Sequence, residues 1–235
     1  AGLESAFAFA PLITLVSERN SMKSRLYLNA SICGFLMFLL LAANIKSHSA
    51  IIQTFDQMIM GGFSLLESQA ATHFFAFISH LFSPLTMSLS LIAISFVYFW
   101  KTKVFPVWIV VLFFGGGFLG LVFKHLVERA RPDSPLIPDT GFSFPSGHAL
   151  CVFLLVLIIF RFVQSEERLG HKGIIMSVSV LTGLMVVVSR VYLRNHYPSD
   201  ILGSLLLSLS WYWAVIVVES RYRARLAIKH MIRKV

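Results

Sequence analysis

The chain has 235 residues, of which 57% are apolar and only 13% are charged, about half the charged fraction of a soluble domain. Its mean hydropathy of +0.78 excludes an ordinary water-soluble protein, and the composition also differs from disordered, collagen-like and coiled-coil chains. The net charge of +9 comes from basic residues in short segments between long apolar runs, as in membrane proteins. We therefore predict an integral membrane protein that binds no nucleic acid.

The first 21 residues differ from the rest of the chain. Residues 20–22 have the sequence NSM, which resembles a cloning junction, and residues 22–25 have the sequence MKSR, which resembles a native start with a basic flank. We interpret residues 1–21 as a possible tag or linker remnant. Residues 22–235 are predicted to form a single integral membrane domain.

Long uncharged segments predict the membrane spans, because a bilayer core requires about 20 apolar residues in each helix. The run at residues 68–100 is too long for one span, so we expect residues 72–81 to lie at the interface or obliquely before Pro84 redirects the chain. The fold class predicted is all-α, a bundle of six transmembrane helices. The predicted spans are residues 26–45, the second part of 68–100, 104–123, 146–165, 173–189 and 201–218.

Six spans place both termini on one side of the membrane. That side carries fourteen of the 20 Lys and Arg residues, and the opposite side carries six. Basic loops usually remain in the cytoplasm, so we predict that both termini are cytoplasmic. The protein is then expected in the cell membrane, with its opposite side facing the periplasm or the extracellular space. Several outer cations lie directly against the membrane edge, where charge is costly, which indicates a function.

Three segments of the outer side contain most of its chemically active residues. They are K-x6-RP at residues 124–132, PSGH at residues 145–148 and SR-x5-H-x3-D at residues 189–200. The predicted topology brings them to the same face of the bundle. Arginine can bind two phosphate oxygens at once in a bidentate contact, and lysine acts as a point charge. A capped helix N-terminus attracts anions. We therefore predict a phosphate site, and its residues are Lys124, Arg131, Ser146, Gly147 and Arg190.

The two histidines of these segments suit complementary roles. Asp200 follows His196 by four residues and can accept the Nδ1–H of its imidazole, which leaves Nε2 available to attack phosphorus. His148 stands at a helix start beside the bound phosphate, where it can remain protonated and donate to the leaving oxygen. We predict catalytic roles for these three residues. Because the cations already supply the charge that phosphoryl transfer needs, we predict no metal and no cofactor.

These segments resemble the type-2 phosphatidic acid phosphatase family, whose three signature motifs are complete here in order and spacing. The resemblance covers about residues 56–218. It implies a six-helix membrane fold and a mechanism in which His196 forms a phosphohistidine and His148 acts as the acid. It also implies phosphate binding by Lys124, Arg131, Ser146, Gly147 and Arg190. The family includes soluble acid phosphatases and vanadium haloperoxidases, which the hydropathy of this chain argues against.

A site at the bilayer edge implies a lipid phosphate or pyrophosphate as the substrate. We favour hydrolysis of undecaprenyl pyrophosphate to undecaprenyl phosphate, because nothing in the loops suggests a large sugar-binding domain. Phosphatidylglycerol phosphate, phosphatidic acid and lipid A 1-phosphate are the alternatives. A non-enzymatic lipid transporter is a further alternative, although it would not need a nucleophile, an acid and an orienting carboxylate together. The sequence leaves the oligomeric state and the lipid chain length open.

The other charged residues of the outer loops do not occupy any of the defined positions of the three motifs. Charged loop residues are usually hydrated, and exposed ion pairs contribute little to stability. We therefore expect solvated side chains at Glu128, Arg129, Asp133, Asp139 and Arg194.

Overall fold

The computed structural model describes residues 2–166 and 170–232, and the side chains of residues 22–166 and 170–226. Within these ranges the chain forms eight helices and no strand. In chain order they are α1 (Gly2–Lys46), α2 (Ala50–Ser64), α3 (Gln69–Leu81), α4 (Pro84–Thr102), α5 (Val107–Val127), α6 (Gly147–Ser165), α7 (Lys172–Tyr192) and α8 (Pro198–Ile232).

Six of these helices are long and apolar enough to cross a membrane, namely α1 from Met22 onward, α4, α5, α6, α7 and the part of α8 up to Leu226. The predicted all-α bundle of six transmembrane helices is therefore confirmed. Many large apolar side chains on these helices are exposed, as expected for surfaces that face lipid tails. The side chains of residues 1–21 lie outside the described set, and the interpretation of these residues as a tag or linker stays a prediction. The orientation of the termini in the membrane also stays a prediction.

Two shorter helices precede the second span. The helix α3 has 13 residues, which is too short to cross a hydrocarbon core of about 30 Å. The hydroxyl of Ser68 caps its N-terminus, and Ser83 and Pro84 begin α4, so local capping divides the uncharged run 68–100 as expected. The helix α2, which has 15 residues and lies between the first two spans, was not predicted from the sequence.

Close helix contacts in the bundle depend on glycine at two positions. A Cβ on Gly115 would lie 2.7 Å from the ring of Trp211, so glycine allows α8 to approach the widened turn of α5. There, Nε1 of Trp211 donates to the carbonyl of Leu112 at 3.0 Å. A Cβ on Gly203 would lie 2.3 Å from the ring of Phe144. Glycine therefore allows Phe144 to be buried directly before the first turn of α6.

Candidate active site

The three predicted segments meet at a cavity of about 550 Å³ at one end of the bundle. Lys124 reaches it from the last turn of α5, Arg131 from the following loop, Gly147 and His148 from the start of α6, and His196 from the loop before α8. Ser146, Arg190 and Asp200 are buried behind this lining. The structure thus brings all eight predicted site residues to one location.

The start of α6 has the predicted N-cap. The hydroxyl of Ser146 accepts a hydrogen bond from the backbone N–H of Ala149 at 3.4 Å, which confirms the capping prediction. The carbonyl of Ser146 also accepts a hydrogen bond from the hydroxyl of Ser204 on α8 at 3.0 Å. The helix N-terminus beside the cavity is therefore fixed, and its partial positive charge favours an anion there.

His196 is buried, and its two ring nitrogens have different neighbours. Nδ1 lies 3.4 Å from Oδ2 of Asp200, and Nε2 lies 3.3 Å from Nη1 of Arg131. A carboxylate can only accept and a guanidinium can only donate, so these contacts favour the tautomer with the proton on Nδ1. The lone pair of Nε2 then faces Nη1 of Arg131, and both residues line the cavity.

Burial lowers the pKa of His196 to about 4 from its ordinary 6.5; the bond to Asp200 opposes this shift, and the charges of Arg190 and Arg131 add to it. We expect a ¹⁵N NMR titration of His196, assigned with His196→Ala, to show a neutral ring at pH 6. The unfolded chain takes up this proton near pH 6.5, so the folded state should lose stability as pH falls from 6.5 towards 4. A ring that protonates near pH 6.5 in the folded protein would contradict this prediction.

Asp139 lies between the two arginines predicted to bind phosphate. Its Oδ2 accepts a hydrogen bond from Nη1 of Arg131 at 2.9 Å and forms an ion pair with Nη2 of Arg190. Partial burial opposes ionisation, but Arg131 and Arg190 outweigh it and hold the pKa of Asp139 below its usual value. The prediction of a solvated side chain at Asp139 is therefore wrong. Its carboxylate occupies the position between cations where an anionic ligand would be expected.

The other donors of the two arginines differ in their partners. Arg131 donates to the carbonyls of Thr140, Gly141 and Asn195, which ties it to its own loop and to the loop of His196. Arg190 donates to the hydroxyl of Ser79, while its buried Nε has no hydrogen-bond partner among the described residues. A buried donor without a partner is unfavourable, and a ligand oxygen would satisfy it.

The prediction of a solvated side chain is also wrong for Arg129, which is only 14% exposed. It forms ion pairs with Asp200 and with Asp56, a buried residue of α2. Asp56 was not among the predicted site residues because α2 was not predicted, although a lone carboxylate among apolar residues was a usable signal. The remaining loop charges are accessible: Glu128 and Asp133 are exposed, and Arg194 pairs with Glu67 while partly exposed.

Comparison with known proteins identifies the family. The PAP2 superfamily model matches residues 105–224. Phosphatidylglycerophosphatase B of Bacillus subtilis (strain 168) is 32% identical over 187 residues, which cover 77% of this chain and 90% of the relative. Undecaprenyl-diphosphatase of Sulfolobus acidocaldarius is 31% identical over 120 residues, which cover 48% of this chain and 54% of the relative.

A solved structure has the same fold. The crystal structure of a transmembrane PAP2-type phosphatidylglycerolphosphate phosphatase from Bacillus subtilis matches with a TM-score of 0.72 and 28% identity, covering 81% of this chain and 96% of that one. The agreement in sequence extends beyond the three motifs, and the agreement in fold includes the membrane spans. The chain therefore belongs to the PAP2 superfamily and is a membrane-embedded phosphatase of that family.

Proposed function

We propose that the protein hydrolyses a lipid phosphate or pyrophosphate at the outer membrane face through a phosphohistidine on Nε2 of His196. The observation that carries this proposal is the environment of His196. The ring is buried, which lowers its pKa; Asp200 is next to Nδ1, and Arg131 is next to Nε2 at the cavity. This arrangement leaves an unprotonated nucleophile beside the cations that a phosphate requires.

The reaction has two steps in this proposal. Nε2 of His196 attacks phosphorus, and the bond between that phosphorus and the leaving oxygen breaks; this is the lipid oxygen of a monophosphate or the bridging oxygen of a pyrophosphate. His148, which the bound phosphate anion keeps protonated, gives its proton to that oxygen. Water then attacks the phosphohistidine, gives a proton to His148, and releases inorganic phosphate and the original imidazole. Lys124, Arg131, Arg190 and the amides at the start of α6 stabilise the charge on the transferred phosphoryl group.

The apolar part of the cavity supports a lipid substrate. Beyond the polar residues, α5 contributes Phe113, Phe114, Phe118 and Leu121 to the lining. Phe118 is 65% exposed and Leu121 is 57% exposed, so this side of the cavity continues into the lipid-facing surface of α5. A hydrocarbon chain can remain among these apolar side chains while its phosphate reaches the histidines.

The relatives narrow the substrates to be tested. The relative named phosphatidylglycerophosphatase B aligns over 90% of its own length, and the relative named undecaprenyl-diphosphatase over 54%. This difference in coverage favours phosphatidylglycerol phosphate as the first substrate, with undecaprenyl pyrophosphate, favoured on the sequence alone, as the second. Phosphatidic acid and lipid A 1-phosphate complete the panel.

The deciding experiment measures inorganic phosphate released from each lipid by the purified protein in detergent micelles, with His196→Ala as the control. We expect release from at least one lipid by the native protein and none by the variant. Lipid movement between vesicle leaflets without phosphate release from any member of the panel would instead favour a transporter.

We expect the activity to survive chelators and to be inhibited by vanadate. The phosphate would be surrounded by Lys124, Arg131 and Arg190, whose positive charges supply the stabilisation that a divalent cation gives elsewhere. Vanadate is a phosphate analogue that can become five-coordinate on Nε2 of His196. Phosphate release should be measured in EDTA with and without magnesium. Loss of activity in EDTA that magnesium restores would contradict the metal-free mechanism.

We expect cytoplasmic termini and an outer active site, because basic residues are concentrated on the side of the termini. In a Cys33→Ser background, a membrane-impermeant thiol reagent should label Asp133→Cys in intact cells. The same reagent should label Glu166→Cys only after permeabilisation. Both positions are exposed in the structure, and the remaining Cys151 is buried. The reverse labelling pattern would contradict the orientation.

A further inference from the structure

The carboxylate of Asp200 has a second partner on the side opposite His196. Its Oδ2 lies 3.4 Å from Nδ1 of His196 and accepts the backbone N–H of Tyr197 at 3.0 Å. Its Oδ1 accepts a hydrogen bond from Nη1 of Arg129 at 2.7 Å. The carboxylate is buried, so these partners determine its orientation. A cation therefore stands directly behind the residue that orients the proposed nucleophile.

Arg129 is itself held from three directions. Its Nη2 donates to Oδ2 of Asp56 at 2.6 Å, and its guanidinium carbon lies 3.8 Å from the ring centroid of Tyr197. The hydroxyl of Ser199 accepts from Nη1 of Arg129 at 2.7 Å and donates to Oδ2 of Asp56 at 2.7 Å. Asp56 also accepts the backbone N–H of Ser199 at 2.8 Å. The guanidinium thus bridges α2 to the first turn of α8 in one geometry.

We propose that Arg129 and Asp56 are positioning residues for phosphoryl transfer: Arg129 fixes the carboxylate of Asp200, and Asp56 fixes Arg129. This inference rests on the proposed function, in which His196 is the nucleophile. Neither residue touches the cavity, and neither occupies a fixed position of the three motifs. They can affect the reaction at phosphorus only through Asp200 and the imidazole ring. Residues that hydrogen-bond to active-site ligands act in the same indirect way in other enzymes.

A merely structural role has a different signature. A buried ion pair can join helices without net stabilisation, and its loss would then disturb the whole site, including its affinity for phosphate. A positioning role acts on the chemical step. Removal of Arg129 should slow the attack by His196 while Lys124, Arg131 and Arg190 continue to bind phosphate.

The test is a double-mutant cycle on the full-length protein, with the rate of phosphoenzyme formation from p-nitrophenyl phosphate measured in a single turnover. We expect Arg129→Met to lower this rate about 10–100-fold in the native background. In the Asp200→Asn background the same substitution should lower the rate less than about threefold, because the carboxylate through which Arg129 acts is already absent. Equal effects in both backgrounds would overturn the inference.

A second measurement separates positioning from general damage. We expect Arg129→Met to change the affinity for inorganic phosphate by less than about twofold, which is the deviation from additivity found between independent sites. A fall in phosphate affinity that matches the fall in rate would contradict the positioning role. Asp56→Asn, which keeps the shape of the side chain, should lower the rate in the same direction. If Arg129→Met does not fold, Arg129→Lys replaces it, since lysine keeps the charge but cannot bridge two carboxylates.

Arg194→Met is the matched control, because Arg194 also forms a loop ion pair, with Glu67, but does not contact Asp200. Its rate of phosphoenzyme formation should remain near that of the native protein. The two proposals fail separately. If the native protein forms no phosphohistidine, the proposed function is wrong; if it does and the effects of Arg129→Met and Asp200→Asn are additive, only the positioning role is wrong.

Discussion

His196→Ala is expected to abolish phosphoenzyme formation with every substrate, whereas His148→Ala should retain it for substrates with good leaving groups. The first substitution removes the proposed nucleophile, so no leaving group can compensate. The second removes the proposed proton donor, and general acid catalysis contributes about 10²–10⁴-fold. An aryl phosphate whose leaving oxygen is already acidic needs little of that contribution.

Single-turnover labelling with p-nitrophenyl phosphate and with a lipid phosphate measures this difference. His148→Ala should form labelled enzyme from the aryl phosphate much faster than from the lipid. Steady-state rates are less informative, because in the proposed mechanism His148 also assists the attack of water on the intermediate. Phosphoenzyme in His196→Ala and none in His148→Ala would mean that the two roles are assigned the wrong way round.

Asp139→Asn should bind vanadate and inorganic phosphate more tightly than the native protein does. The carboxylate of Asp139 pairs with Arg131 and Arg190, and an incoming phosphate must displace it. A hydrogen bond to a charged group contributes roughly 1.5–3 kcal/mol, which corresponds to about 10–140-fold in affinity. Inhibition constants for vanadate, measured alongside Asp133→Asn from the exposed part of the same loop, provide the comparison.

The same substitution should also change how phosphate stabilises the fold. Without phosphate, Asp139→Asn leaves Arg131 and Arg190 without a carboxylate between them, so its thermal midpoint should fall. Saturating phosphate should raise that midpoint more in the variant than in the native protein, because a tighter ligand stabilises more strongly. Weaker vanadate binding in Asp139→Asn would show instead that the carboxylate holds the arginines in place for the ligand.

Local patterns explain which features the sequence could predict. The spans follow from length and hydropathy alone, and the cap at Ser146 follows from a serine before an apolar run. The approach of His196 to Asp200 follows from their spacing of four residues at the start of α8. Each of these features depends on neighbours along the chain, so one sequence was sufficient.

The contacts of Arg129 and Asp139 depend on residues far away in the sequence. Asp56 precedes Arg129 by 73 residues, and Asp139 precedes Arg190 by 51. No periodicity links a residue of an irregular loop to a particular partner on another helix. A charged loop residue is usually solvated, and that expectation failed at the two positions where the loop folds back onto the site.

The apolar opening of the cavity along α5 determines how the enzyme meets its substrate. Phe118 and Leu121 line this opening and are exposed on a membrane-spanning helix, so we expect a lipid to reach the histidines sideways from the bilayer and the search to take place in two dimensions. The relevant concentration is then the mole fraction of substrate among the surrounding lipids or detergent molecules. Adding inert detergent at constant total substrate should therefore slow turnover, even though the number of substrate molecules per millilitre is unchanged.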